Sequence, residues 1–176
     1  MIPLKVTDRL LILGDSGSGK TYLATKILKS YPRAIIITPQ PDEWKEFPNR
    51  VVTLDPETAF STIQKALATG NVVVVVEDAD TFLTRYENDA RLRYFLIASR
   101  HRRVGWVFIA RRTQDMPTLV FKQANKLFLF QTDLPHDLKT YEEFYGIAGE
   151  VKGLDRAAHN ALFVDRETRE KRVIVA

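Results

Sequence analysis

Along the chain, short unbroken apolar runs alternate with stretches in which apolar side chains recur every three or four positions. Leu10 to Leu13, Ala34 to Thr38, Val72 to Glu77, Trp106 to Ala110 and Leu127 to Gln131 read as strands covered on both faces. Val51 to Leu54 predicts a short additional edge strand. Between these runs, Leu23, Ile27 and Tyr31 share one helical face, as do Phe60, Ile63 and Leu67, and Leu92, Phe95 and Ser99. Leu138, Tyr141 and Tyr145 continue the helical spacing. Near the end, Ala161 to Val164 and Arg172 to Val175 flank a charged turn from Asp165 to Lys171, which predicts a β-hairpin. Strands alternating with helices predict an α/β fold, a mostly parallel central sheet with helices on both faces. With no internal repeat and no long linker in sight, one domain over residues 1–176 is expected.

Composition narrows the chemistry. There is no cysteine, so disulfides, thiolate metal sites and cysteine nucleophiles are excluded, and a reducing, cytoplasmic setting is expected. The apolar runs are far shorter than a bilayer span, which argues against a transmembrane segment. His101, His136 and His159 are too scattered for metal-ligand spacing. Trp44 and Trp106 read as core or interface residues rather than stacking platforms. The net charge is +4, and its distribution says more than its sum. Seven arginines lie between Arg91 and Arg112 with no acidic residue among them, whereas acids gather at Asp42 to Glu46 and Glu142 to Glu150. Such a basic stretch favours an anionic partner.

The clearest chemical signal is Gly14-Asp15-Ser16-Gly17-Ser18-Gly19-Lys20-Thr21, which satisfies G-x-x-x-x-G-K-[ST] between a strand and a helix. Glycines let the backbone fold around phosphates with its N–H groups inward, and the helix start adds the positive end of its dipole. Lys20 is expected to meet the β- and γ-phosphates of ATP, and the Thr21 hydroxyl to ligate Mg2+. The second signal is Glu77-Asp78 at the end of the Val72 to Val76 run, where a buried strand delivers carboxylates beside the phosphates. One carboxylate belongs to the magnesium shell and the other orients or deprotonates water. Glu77 is assigned to the metal and Asp78 to the base, with the two roles interchangeable. The alternative is that these acids merely end a strand and start a turn, with Asp80 in the same solvated patch.

Beyond these motifs the order of parts resembles the FtsK/HerA superfamily of DNA-pumping ATPases, especially the genome-packaging ATPases of icosahedral viruses with internal membranes. The resemblance rests on Ser99-Arg100-His101-Arg102-Arg103, on Val104-Gly105 leading into the next strand, on Arg111-Arg112-Thr113-Gln114-Asp115-Met116-Pro117, and on Pro135-His136-Asp137-Leu138 with Gly146. It implies a RecA-like P-loop NTPase with strand order 5-1-4-3-2. It also implies a homo-oligomeric ring with ATP between subunits and an arginine reaching the neighbour's phosphates; Arg100, Arg102 and Arg103 are the candidates. Many members place a glutamine at the fourth strand's end as γ-phosphate sensor. Here Arg111 stands at that place and is nominated first, with Gln114 second. The same arginines could line a pore and hold DNA phosphates without reading bases, or form an ordinary solvated helix end.

The resemblance thus implies an ATP-hydrolysing motor that moves double-stranded DNA, packaging a viral genome into a capsid. Its location would be the host cytoplasm or a packaging vertex of the virion. Two other readings stay open: a nucleotide-kinase-type phosphotransferase, with the basic stretch as its lid, and an assembly or secretion ATPase moving protein. With the ATPase core filling the sequence, specificity is expected from a capsid, portal or membrane partner.

Overall fold

The computed structural model describes residues 4–47, 50–53, 55–114 and 116–176. Its centre is an eight-stranded sheet. In chain order the strands are β1 (Arg9–Leu13), β2 (Ala34–Thr38), β3 (Val51–Thr53), β4 (Val72–Val76), β5 (Val104–Ala110), β6 (Lys126–Phe130), β7 (Asn160–Asp165) and β8 (Glu170–Val175). In space they run β3-β2-β4-β5-β1-β6-β7-β8. All neighbours from β3 to β6 pair in parallel, and β7 and β8 add on antiparallel, as the expected hairpin. Numbered without β3, the parallel core has the order 5-1-4-3-2, with β5 between the phosphate-loop strand and the Glu77 strand. Leu54, the last residue of the expected edge strand, lies outside the described residues, as does Asp115.

Strand polarity explains the layering. Side chains alternate faces along each strand, so Leu11, Leu13, Val74 and Val76 enter one core, and Leu10, Ile12, Val73 and Val75 the other. The first core is covered by α2 (Pro56–Thr69), α3 (Ala79–Arg85), α4 (Ala90–Ala98), α5 (Thr118–Gln123), α6 (Pro135–Tyr145) and α7 (Ala148–Lys152). The second is covered by α1 (Lys20–Leu28) and a 3-10 turn at Pro41–Trp44. The helix starts are locally encoded: Asp55 and Asp89 each accept a backbone N–H in the first turn, from Thr58 and Arg91, and Pro56 and Pro135 occupy first helical positions. Among the described residues no helix is long and apolar enough to cross a membrane.

The sheet therefore has two unlike edges. At the C-terminal ends of β1, β4 and β5 stand the glycine loop, Glu77-Asp78 and Arg111. At the N-terminal ends stand Arg9, Arg33 and the turn Arg100 to Arg103. Backbone bonds from Val73 N to Arg33 O and from Asn71 N to Arg103 O tie that second edge together. The arginine stretch that is continuous in sequence is thus divided by β5, whose seven residues span about 23 Å at roughly 3.3 Å per residue.

Candidate nucleotide site

The loop from Gly14 to Thr21 leaves β1 and turns into α1. Two of its glycines hold left-handed angles, Gly17 at φ 74° and Gly19 at φ 103°, which side chains rarely adopt. Gly14 is required for a different reason: a Cβ there would lie 2.6 Å from Phe130 Cβ, so β6 forms the floor of the loop. Gly19 caps α1 without a side-chain bond, which leaves the first-turn N–H groups facing the loop's concavity, the arrangement that binds anions.

A cleft of about 430 Å³ opens there. Ser16, Gly17, Gly19, Lys20 and Thr21 line one side, and Glu77, Asp78 and Arg111 the other, with Tyr22, Gln40 and Glu43 at the rim. Thr21 Oγ1 donates to Glu77 Oε1 at 2.9 Å, joining the loop to the β4 end. Glu77 Oε2 accepts from Thr38 Oγ1 and, at 2.7 Å, from Trp44 Nε1. Lys20 Nζ donates to the Asp15 carbonyl at 2.7 Å. Burial pulls Lys20 below its ordinary value, against the pull of Asp15, Asp78 and Asp80. Asp78 moves the other way: burial lifts its carboxyl above the ordinary 3.8, opposed by Arg111 and Lys20 and helped by Asp80 and Glu77. Its backbone is left-handed, φ 49° and ψ 41°, a rare state for a residue with a side chain and one that clusters at functional sites.

The donor set suits magnesium held partly by substrate. Mg2+ is bound through one or two protein oxygens together with phosphates and water, and Thr21 and Glu77 offer a hydroxyl and a carboxylate oxygen side by side. Among the described residues no group of three or more His, Cys, Asp or Glu gathers as a metal cage.

The remaining expected residues are dispersed. Arg111 lines the cleft and is half exposed, while Gln114 is exposed and absent from the lining. Arg100, Arg102 and Arg103 lie at the opposite edge of the sheet, the length of β5 away, so they do not reach the cleft of their own chain. The Asp15 side chain turns away from the cradle into ion pairs with Arg112 and, at 3.2 Å, with Arg156.

Several contributors escape a reading of the sequence. Asp80 is not solvated: it is 7% exposed, and its Oδ2 accepts from the Arg111 backbone N–H at 3.4 Å and stands 3.9 Å from Arg111 Nε. A second cavity of about 500 Å³, between Ser16, Asp80, Arg85, Arg111 and Arg112, adjoins the cleft. Arg112 also approaches buried Asp137, which accepts from Thr113 N and Oγ1 at 2.9 and 2.7 Å. His159 Nδ1 lies 3.2 Å from the Ser18 carbonyl, so the hairpin side of the molecule braces the loop from behind.

No family model and no curated protein matches the sequence. Solved structures do match its fold. The genome packaging NTPase B204 of Sulfolobus turreted icosahedral virus 2, in complex with AMPPCP, superposes with a TM-score of 0.81 at 21% identity, covering 97% of this chain and 98% of that one. B204 of Sulfolobus turreted icosahedral virus, described as the DNA-packaging ATPase, gives 0.79 at 22% identity over 97% and 98%. EssC (ATPases 2 and 3) of Geobacillus thermodenitrificans gives 0.61 at 10% identity, over 94% of this chain and 38% of that one. By fold, this chain stands with the genome-packaging NTPase B204 and, at greater distance, with the ATPase domains of EssC.

Proposed function

We propose that the chain is a RecA-like, single-domain ATPase that works as a homo-oligomeric ring and drives double-stranded DNA, packaging a viral genome into a capsid. The observation that carries the ATPase reading is the Thr21 to Glu77 hydrogen bond, which brings the phosphate loop and the acidic strand end together around one cleft.

In this reading the backbone N–H groups of residues 16–21 cradle the β- and γ-phosphates, and Lys20 supplies a point charge to them. Thr21 and Glu77 would hold Mg2+, which would supply positive charge beside the phosphates. Asp78, its carboxyl raised above the ordinary value by burial, takes a proton from the attacking water. The water oxygen then bonds to the γ-phosphorus as the bond to the β–γ bridging oxygen breaks, leaving ADP and inorganic phosphate. Arg111, fixed by Asp80, faces the γ-phosphate as sensor.

The DNA reading draws on the likeness to B204 and on the basic edge. Arg33, Arg100, Arg102 and Arg103 are exposed, and among the described residues none of them pairs with a carboxylate. They act outward, on a neighbour's phosphates or on the DNA backbone. The same position argues against the kinase reading, because the arginines that would form its lid lie at the far edge from the cleft. Hydrolysis measured with and without duplex DNA tests the proposal. Stimulation by DNA with release of free phosphate is expected, and its loss in Lys20→Ala. Label transferred to an acceptor would instead mark a kinase, and stimulation by peptide but not DNA a protein-moving ATPase.

A further inference from the structure

Glu77 is held more fully than a single metal-shell carboxylate requires. Of its two oxygens, Oε1 faces Thr21. Oε2 is taken by two donors from a different part of the chain, the Thr38 hydroxyl at the end of β2 and the Trp44 indole N–H in the turn that follows. The Thr38 hydroxyl is itself oriented, since it accepts the Gln40 backbone N–H at 2.9 Å and so has its own proton to aim at Glu77. Trp44 is fully buried, its ring 6.3 Å from that of Phe47, so the indole has no freedom to swing away. The Glu77 N–H donates to the Ile37 carbonyl at 2.9 Å, which fixes the backbone on the same β2 segment.

We propose that Thr38 and Trp44 are positioning residues that tie down one oxygen of Glu77 so that Oε1 alone, beside the Thr21 hydroxyl, is offered to magnesium. The proposal rests on the Mg2+·ATP reading of the cleft. A free glutamate has rotatable bonds and two equivalent oxygens, and offers a cation several competing geometries. Magnesium tolerates few of them, demanding near-octahedral placement at short range. Hydrogen bonds to a ligating carboxylate remove the alternatives before binding, and outer-shell partners of this kind typically set metal affinity by 10- to 100-fold. The turn that carries Trp44 also sets Gln40 and Glu43 on the cleft rim, so its geometry and that of the carboxylate are linked. Because the Trp44 N–H touches the group that meets the metal, its emission reports that event.

The test separates metal positioning from general damage. Thr38→Val removes the hydroxyl at nearly constant shape, Thr38→Ser keeps it, and Trp44→Phe removes only the indole N–H with its outer ring. Titrating Mg2+ into each ATP-loaded protein by calorimetry, we expect the half-saturating Mg2+ concentration to rise about tenfold in Thr38→Val and Trp44→Phe and to stay within about twofold of the parent in Thr38→Ser. Metal-free ATP affinity should be unchanged in all three. The parent should change its tryptophan emission on adding Mg2+, and Trp44→Phe should lose that change. Folded Thr38→Val and Trp44→Phe proteins with the parent's Mg2+ requirement overturn the proposal, as does an Mg2+-induced emission change that survives in Trp44→Phe. A parent that shows no magnesium-dependent ATP uptake overturns this proposal together with the reading beneath it, whereas the variants alone overturn only this one.

Discussion

The two edges of the sheet treat charge in opposite ways. At the C-terminal edge most charged groups have a fixed partner: Asp15 is held by Arg112 and Arg156, Asp80 by Arg111, Glu77 by three neutral hydrogen-bond donors and Lys20 by the Asp15 carbonyl. At the N-terminal edge the charges divide into two kinds. Lys126 is 3% exposed and clasped by Asp165 at 2.5 Å with Asp8 at 3.9 Å, while Arg33 and the Arg100 to Arg103 turn extend into solvent. Paired, desolvated charges fix positions, whereas exposed unpaired ones add little to stability and remain available to a polyanion. An arginine-rich stretch of sequence thus contributes to two places with different chemistry.

Lys20→Ala gives the strongest test of that contrast. It should lower ATP turnover by about 10²- to 10³-fold or more, as loss of a preorganised charge in a water-poor site does, and calorimetry should find nucleotide binding lost with the basic edge intact. At the other edge, Lys126→Met strands Asp165 and Asp8 as buried carboxylates. Urea unfolding should show a loss of about 3–5 kcal/mol, with the nucleotide site still assembled in the protein that remains folded.

Asp78→Asn should keep nucleotide binding and lower turnover by about 10²- to 10⁴-fold, the range for a general base. The pH profile carries the sign of the shift. Since burial raises the Asp78 carboxyl in the free protein, the base is neutralised sooner as pH falls, so the acid limb of kcat/KM should lie above the ordinary 3.8 and vanish in the variant. The smallest effect is expected from Arg33→Gln, Arg100→Gln, Arg102→Gln and Arg103→Gln combined. Folding stability should hold, while the slope of log affinity for duplex DNA against log salt should flatten by about 0.9 for each phosphate that is no longer neutralised. A fall in DNA-free hydrolysis in the same protein would assign one of these arginines to a neighbour's active site.

How much of this can be read from sequence follows from how local each signal is. The glycine loop and the β4 strand are legible because each is written in consecutive residues with a mechanical reason for its spacing. The hairpin is legible for the same reason, and only its ends differ: the turn occupies residues 166–169 rather than 165–171. Strand order is not written in the apolar runs, and its expectation comes from resemblance. Thr38 and Trp44 escape notice as site residues because they reach Glu77 only through the β2–β4 pairing, from 39 and 33 positions away. Trp44 reads as core, and it is buried, but burial says nothing of where its N–H points. Asp80 goes unnominated because nothing in its acidic neighbourhood marks it off from a strand-end turn, whereas the first turn of α3 directs it inward under Arg111. The short helices α3, α5 and α7 give no warning in the sequence, being too brief to display a helical period.

The left-handed backbone at Asp78 has an evolutionary consequence. Most residues adopt that conformation only at a cost, which is least for glycine and asparagine. Substitution at the position therefore meets a narrow gate, and the easiest passage, to asparagine, exchanges a carboxylate for an amide of the same shape. With Asp78 in the proposed role, a protein that holds its nucleotide without cleaving it lies one conservative replacement from the working one.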